Sequence, residues 1–154
     1  MANVVFNCAK GRVIELWANV QNGSPANAAL VLIPIETSGL EADAALIDSL
    51  SVTELINGTT NEQTDMGRIV LSAAELAAIT LEADMGNDRF EASLPQVTWS
   101  GATGNAISRI VVAYDPDNGT STDAGIVPLT MFEAVATPDG NDLVLTPGVF
   151  FRAS

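Results

Sequence analysis

Apolar positions along this chain follow two different periods. Val13, Leu16, Trp17 and Val20 fall at i, i+3, i+4 and i+7, which is one face of a helix. Asn22-Gly23 supplies a stop and Pro25 blocks resumption. Trp17 on that face is expected in the core. Before it, Val4, Val5 and Phe6 predict a short first strand. Ala29 to Ile35 (Ala-Leu-Val-Leu-Ile-Pro-Ile) is an unbroken apolar run with β-branched members, which predicts a strand buried on both faces. Pro34 lacks a backbone donor, so the far end of that strand should be an edge or a bulge.

Two segments share the form L-S-x-x-E-L: Leu50 to Leu55 and Leu71 to Leu76. Each reads as a helix start. The serine caps the N3 amide, the glutamate reaches back to the cap amide, and the leucine before the cap packs on the leucine at N4. Both helices should be short, because Asn57-Gly58 ends the first and Thr80 begins a polar break after the second. Between them the pattern predicts an exposed loop from Gly58 to Asp65 and a short strand from Arg68 to Leu71.

The second half alternates as strands do. Phe90, Ala92 and Leu94 alternate with polar residues, and Val97 and Trp99 continue after Pro95. Ile107 to Tyr114, Ile126 to Ala136 and Leu143 to Phe151 read as three further strands. Ser100-Gly101, Asp117-Asn118-Gly119 and Asp139-Gly140-Asn141 punctuate them. The predicted fold is one α+β domain over residues 1–154. It is mainly an antiparallel β-sheet or sandwich, with two or three short helices on one side.

Composition narrows the chemistry more than the fold. The 154 residues include no histidine, a single cysteine (Cys8) and a single lysine (Lys10). Ser–His–Asp and Cys–His nucleophile pairs are therefore impossible, and an ordinary zinc site is unsupported. No G-x-G-x-x-G or G-x-x-x-x-G-K-[ST] loop is present to cradle phosphate. Cys8 is expected as a small buried hydrophobe. Six Lys and Arg face nineteen Asp and Glu, a formal charge of −13. That charge argues against nucleic acid and against an anionic membrane. The longest apolar run is far shorter than the roughly 20 residues of a membrane-spanning helix, and the start shows no secretory signal pattern. Charged residues make up only 16% of the chain and apolar ones 47%. Either a partner covers part of the apolar surface or the core is large.

Three local features are candidate sites. Asp115, Asp117 and Asp123 lie within nine residues rich in side-chain oxygens, which is the ligand type calcium prefers. The spacing departs from an EF-hand loop, and a polar hairpin explains the same residues. Glu82 with Asp84, or Asp88 with Glu91, could be nominated as a glycosidase pair, but nothing marks them among nineteen acids. Phe150 and Phe151 near the C-terminal end should point to opposite faces of a strand, one into the core and one free to anchor an interface. Both buried is the alternative. Trp99 is a third candidate anchor. Asn22-Gly-Ser, Asn57-Gly-Thr and Asn118-Gly-Thr match the glycosylation pattern but read as turn chemistry.

The order of segments resembles a group of small virion proteins of tailed bacteriophages, encoded among head-assembly genes. The stretches that carry the resemblance are Ala9 to Trp17 (Ala-Lys-Gly-Arg-Val-Ile-Glu-Leu-Trp), Ser38 to Asp43 (Ser-Gly-Leu-Glu-Ala-Asp), Asn87 to Phe90 (Asn-Asp-Arg-Phe), Val112 to Asp117 (Val-Ala-Tyr-Asp-Pro-Asp) and the ending Phe150 to Ser154 (Phe-Phe-Arg-Ala-Ser). The resemblance implies a structural particle component and assigns no site. With the charge and composition it leads to an expectation of capsid decoration: a cement-like, cofactor-free homo-oligomer on the outer major capsid protein lattice. Such a protein would be made in the host cytoplasm and reside on the virion exterior. The alternative expectation is a tail or fibre component that recognises a host surface, with Trp99 or Tyr114 in an exposed groove.

Overall fold

The apolar run at 29–35 forms the middle of the fold. The computed structural model describes residues 4–77, 79, 82–84 and 89–153. In chain order its strands are β1 (Val4–Val5), β2 (Ala29–Glu36), β3 (Ile69–Leu71), β4 (Glu82–Asp84), β5 (Arg89–Leu94), β6 (Val97–Trp99), β7 (Ile107–Asp115), β8 (Val127–Ala136), β9 (Leu143–Leu145) and β10 (Gly148–Ala153). Its α-helices are α1 (Val13–Gln21), α2 (Asp43–Leu46), α3 (Val52–Leu55) and α4 (Ala73–Leu76). A five-stranded sheet runs β1-β8-β7-β2-β3, a three-stranded sheet β10-β5-β4, and a ribbon pairs β6 with β9. Every strand pairing is antiparallel. The fold is thus α+β and mainly antiparallel sheet, as the patterning predicts.

β2 and β7 are apolar at almost every position, so both faces of the large sheet must be covered. On one face Leu30, Leu32, Ile110 and Val112 pack with Leu16, Trp17 and Val20 of α1, Leu76 of α4, and Ala92, Leu94, Trp99 and Phe150. The other face buries Val31, Ile33, Ile35, Val111, Ala113 and Met131 under Phe6, Leu46 of α2, and Val52 and Leu55 of α3. Each such aliphatic side chain contributes about 1.5–3 kcal/mol on burial. The helices therefore divide between the two faces, contrary to the one-sided arrangement predicted. Helix α2 was not anticipated, because a single turn shows no period.

Pro34 realises both readings of it. β3 ends at the Leu32–Ile69 pair. Beyond it the Pro34 carbonyl accepts from the Gln63 amide at 2.9 Å, and the Glu36 amide donates to the Asn61 carbonyl at 2.9 Å. The donor that proline lacks would face this side, where the neighbouring strand has stopped. The β2–β7 register also shifts between Ile35 and Glu36.

The two serine starts differ in detail. At α4, the Ser72 hydroxyl accepts from the Ala74 amide at 3.3 Å, and Glu75 accepts from the Ser72 amide at 2.7 Å. Leu71 and Leu76 are both buried in one cluster, so the staple forms. At α3, Ser51 accepts from the Glu54 amide at 3.3 Å, but Glu54 reaches one residue further back, to the Leu50 amide at 2.7 Å. Leu50 is 61% exposed, so no staple forms there. Three other expectations are corrected. The strand predicted over Leu143 to Phe151 is two strands, broken at Thr146-Pro147, and they join different sheets. The loop from Gly58 to Asp65 is not wholly exposed, since Thr60 and Gln63 are buried. Phe90 is exposed, although its strand mates Ala92 and Leu94 are buried. Thr80 lies outside the described residues.

Candidate interaction surface

β10 is an edge strand. One side pairs with β5, and no strand joins its other side among the described residues. Val149 pairs with Ser93 and Phe151 with Ala92, so Phe150 is the additional residue of a bulge. The bulge interrupts strand alternation. Phe150 enters the core at 5% exposure, and Phe151 packs half-buried against the same cluster instead of crossing to the opposite face. Two open apolar depressions flank the bulge. One, of about 120 Å³, is lined by Leu94, Phe132, Leu145 and Phe150. The other, of about 250 Å³, lies between Val5 of β1 and Val149, Phe151 and Arg152 of β10. Arg152 Nε donates to Glu91 across the strand pair at 2.7 Å. The edge thus combines unpaired backbone groups, an apolar groove and an ion pair, which are the ingredients of strand-edge recognition.

The third predicted anchor does not belong to this surface. Trp99 is 3% exposed, and its indole N–H donates to the Gly67 carbonyl at 3.0 Å. β6 alternates Val97 and Trp99 inward, so the ring is core and cannot anchor a partner. Trp17 is core too, donating to the Ser93 carbonyl at 3.0 Å. Tyr114 is 7% exposed, and burial raises its pKa.

The acidic loop does not assemble a calcium site. Buried Asp115 accepts from the Asp117 amide at 3.0 Å. Asp117 accepts from the Thr120 hydroxyl at 2.6 Å and from Asn27 Nδ2 at 3.1 Å, and these bonds hold its pKa low. Asp123 turns away to Arg68. Three carboxylates with three separate duties do not converge on one ion, and no group of three or more His, Cys, Asp or Glu among the described residues is placed to hold a metal. Of the residues nominated as a glycosidase pair, Glu82 and Asp84 lie on β4, Glu91 is bound to Arg152 at 2.7 Å, and Asp88 lies outside the described residues. Cys8 is half-buried, its thiol near the Ser49 carbonyl at 3.4 Å, and burial raises its pKa.

Arg68 is the feature the sequence did not disclose. Its guanidinium donates to Glu62 at 2.7 and 2.6 Å and to Asp123 at 2.6 and 3.0 Å. The two hydrogen-bonded carboxylates push its pKa well above the usual guanidinium value. It ties the loop after α3, the entry to β3 and the loop before β8 into one knot. Nearby, Thr60 Oγ1 donates to Glu41 at 3.0 Å, Gln63 Nε2 to the Asn105 carbonyl at 3.0 Å, and Asn105 Nδ2 to Glu36 at 2.8 Å. These contacts stiffen one end of the large sheet. A cation and two acids separated by 6 and 55 residues leave no local signal.

The chain matches no protein-family model, no curated protein and no solved structure. Among the described residues, no helix is long and apolar enough to cross a membrane.

Proposed function

We propose that this protein is a structural component of a tailed-phage particle, a decoration protein that binds the outer lattice of the major capsid protein and stabilises the shell. The observation that carries the reading is the β10 edge. It is an open strand with an apolar groove, set on a body whose two sheet faces are already covered and whose loop ends are tied together. A tied body with a six-residue edge strand open among the described residues is suited to adhesion. The charge of −13 disfavours contact with packaged DNA and favours a basic protein face. Binding to the assembled shell stabilises it by mass action, as any ligand of a native state does. Burial of both Trp99 and Tyr114 weakens the alternative of a tail or fibre component that recognises a host surface.

Copy number in purified particles tests the proposal. Decoration requires many copies per particle, repeated with the shell lattice, and a tail component only a few. Thermal rupture of particles with and without the gene product is the second measurement. Particles lacking it should rupture at lower temperature. Equal rupture temperatures, or absence of the protein from particles, would refute the role. Phe151→Ser should weaken binding to empty shells, with its melting curve recorded in parallel to separate lost adhesion from lost fold.

A further inference from the structure

Three Asn-Gly pairs occur in nearly identical contexts, Asn22-Gly-Ser, Asn57-Gly-Thr and Asn118-Gly-Thr. As unfolded peptides they should behave alike. Folding separates them, and we infer that Asn57 is a site of spontaneous deamidation from which Asn22 and Asn118 are protected.

The reaction needs the backbone nitrogen of the following glycine. That nitrogen loses its proton and attacks the asparagine side-chain carbonyl carbon. A C–N bond forms, the bond from that carbon to the side-chain nitrogen breaks, and ammonia leaves with the proton. Water then opens the succinimide to aspartate or isoaspartate. Any hydrogen bond donated by the glycine amide retains the proton and aims the nitrogen elsewhere, and proximity of the reacting atoms governs the rate.

At the end of α1 the Gly23 amide donates to the Val20 carbonyl at 3.0 Å, while the Asn22 amide donates to Ala18 at 2.9 Å and fixes its backbone in helical geometry. In the turn after β7 the Gly119 amide faces Asp117 Oδ1 at 3.4 Å, and the Asn118 amide donates to the Asn27 carbonyl at 3.0 Å. Thr120 and Ser121 both donate to the Asp117 carbonyl and close that turn. All three asparagines are exposed, and after α3 the Asn57 amide donates to the Glu54 carbonyl at 3.3 Å, but the Gly58 amide donates to no group among the described residues. It is the free nucleophile of the three.

The product would land in a sensitive place. The Glu41 carboxylate occupies the space a Cβ at position 58 would need, and it holds Thr60 through the threonine hydroxyl. A carboxylate at 57 adds negative charge next in sequence to Gly58, the residue Glu41 lies against. An isoaspartyl link also adds a methylene to the main chain just before Thr60. This inference is independent of the virion reading.

The experiment compares the folded chain with the same chain in guanidinium, both held at mildly alkaline pH. Ammonia release and peptide mass mapping follow each asparagine. In the folded protein Asn57 should convert at least about tenfold faster than Asn22 or Asn118. In guanidinium the three rates should fall within a few-fold of one another. Equal rates in the folded chain, or a faster Asn22 or Asn118, would overturn the inference. So would an Asn57 preference that survives unfolding, since the cause would then be sequence and not structure.

Discussion

Replacing Arg68 with methionine keeps an unbranched apolar stem and removes the charged guanidinium, so it isolates what the knot contributes. The size of the effect follows from burial. The Arg68 side chain is 24% exposed, Glu62 11% and Asp123 35%. An exposed ion pair is worth about 0.2–1 kcal/mol, and severing a buried pair costs about 3–5 kcal/mol because a charge is left behind without a partner. The Glu62 contact lies near the buried limit. The Asp123 contact lies near the exposed one and must be discounted for solvent screening. Together they place Arg68→Met at about 2–3 kcal/mol at neutral pH. For a chain of this size that is a fall of about 5–10 °C in Tm. Urea and thermal melts read it directly. Adding Glu62→Gln to Arg68→Met should restore part of the loss, because the orphaned carboxylate is then gone. The pH dependence fixes the sign independently. Hydrogen bonds from Arg68 hold Asp123 below its ordinary carboxylate range. A depressed carboxylate contributes stability above its unfolded pKa and loses it as pH falls through the folded one. Wild type and Arg68→Met should therefore converge in acid and differ most near neutrality. A Tm shift no larger than that of Arg12→Met, whose pair with Glu15 is fully at the surface, would refute the reasoning.

Calcium titrated calorimetrically into the protein should give no binding heat up to millimolar concentration, since Asp115, Asp117 and Asp123 serve different partners; saturable heat lost in Asp117→Asn would show otherwise. Leu71→Ala should cost about 2–5 kcal/mol in a urea melt, as a truncation in a packed core does. Leu50→Ser, at the equivalent place in the other L-S-x-x-E-L segment, should change stability by less than about 0.5 kcal/mol, because that leucine is exposed. Gly39→Ala should destabilise by about 1–3 kcal/mol. Its φ is +79°, a Cβ there would meet the Thr59 carbonyl, and Thr59 donates to the Gly39 carbonyl at 2.7 Å. Equal melts for Gly39→Ala and wild type would show that the two loops are not held together there.

Local signals in the sequence suffice where one side chain decides one turn. Val13, Leu16, Trp17 and Val20 form the buried face of α1, with the stop at Asn22-Gly23. Ser72 and Glu75 close a capping box because both partners lie within four residues. Pro34 marks the strand end because its missing donor is a covalent fact. Reading failed where the outcome depended on what lies across space. The same cap motif gives a stapled leucine at 71 and an exposed one at 50, and only the neighbouring elements differ. The bulge that turns Phe150 inward and leaves Phe151 half-buried arises from pairing with β5, more than fifty residues earlier. The Asp115 to Asp123 stretch looked like a ligand set because spacing shows that oxygens are close in sequence. It does not show that Asp123 is taken by Arg68.

The apolar surplus of the composition had two explanations, a covered surface or a large core, and the fold distinguishes between them. A sheet buried on one face needs apolar residues at alternate positions. β2 and β7 are apolar at nearly all of theirs, and each face carries its own cluster. Two-sided burial doubles the demand for apolar side chains without exposing them. The large apolar residues that remain exposed among the described ones, Leu50, Val70, Phe90, Val135 and Val144, sit on five separate segments. Scattered single residues of that kind are ordinary on any protein. Composition therefore ceases to argue for a partner once the fold is known. What remains is geometric: among the described residues, no strand joins the outer edge of β10, beside an apolar groove. Among the described residues the other sheet edges are short, with two residues in β1 and three in each of β3, β4, β6 and β9. β10 runs for six. Among the described residues β10 is thus the longest strand at a sheet edge, and the proposed partner contact rests on that edge.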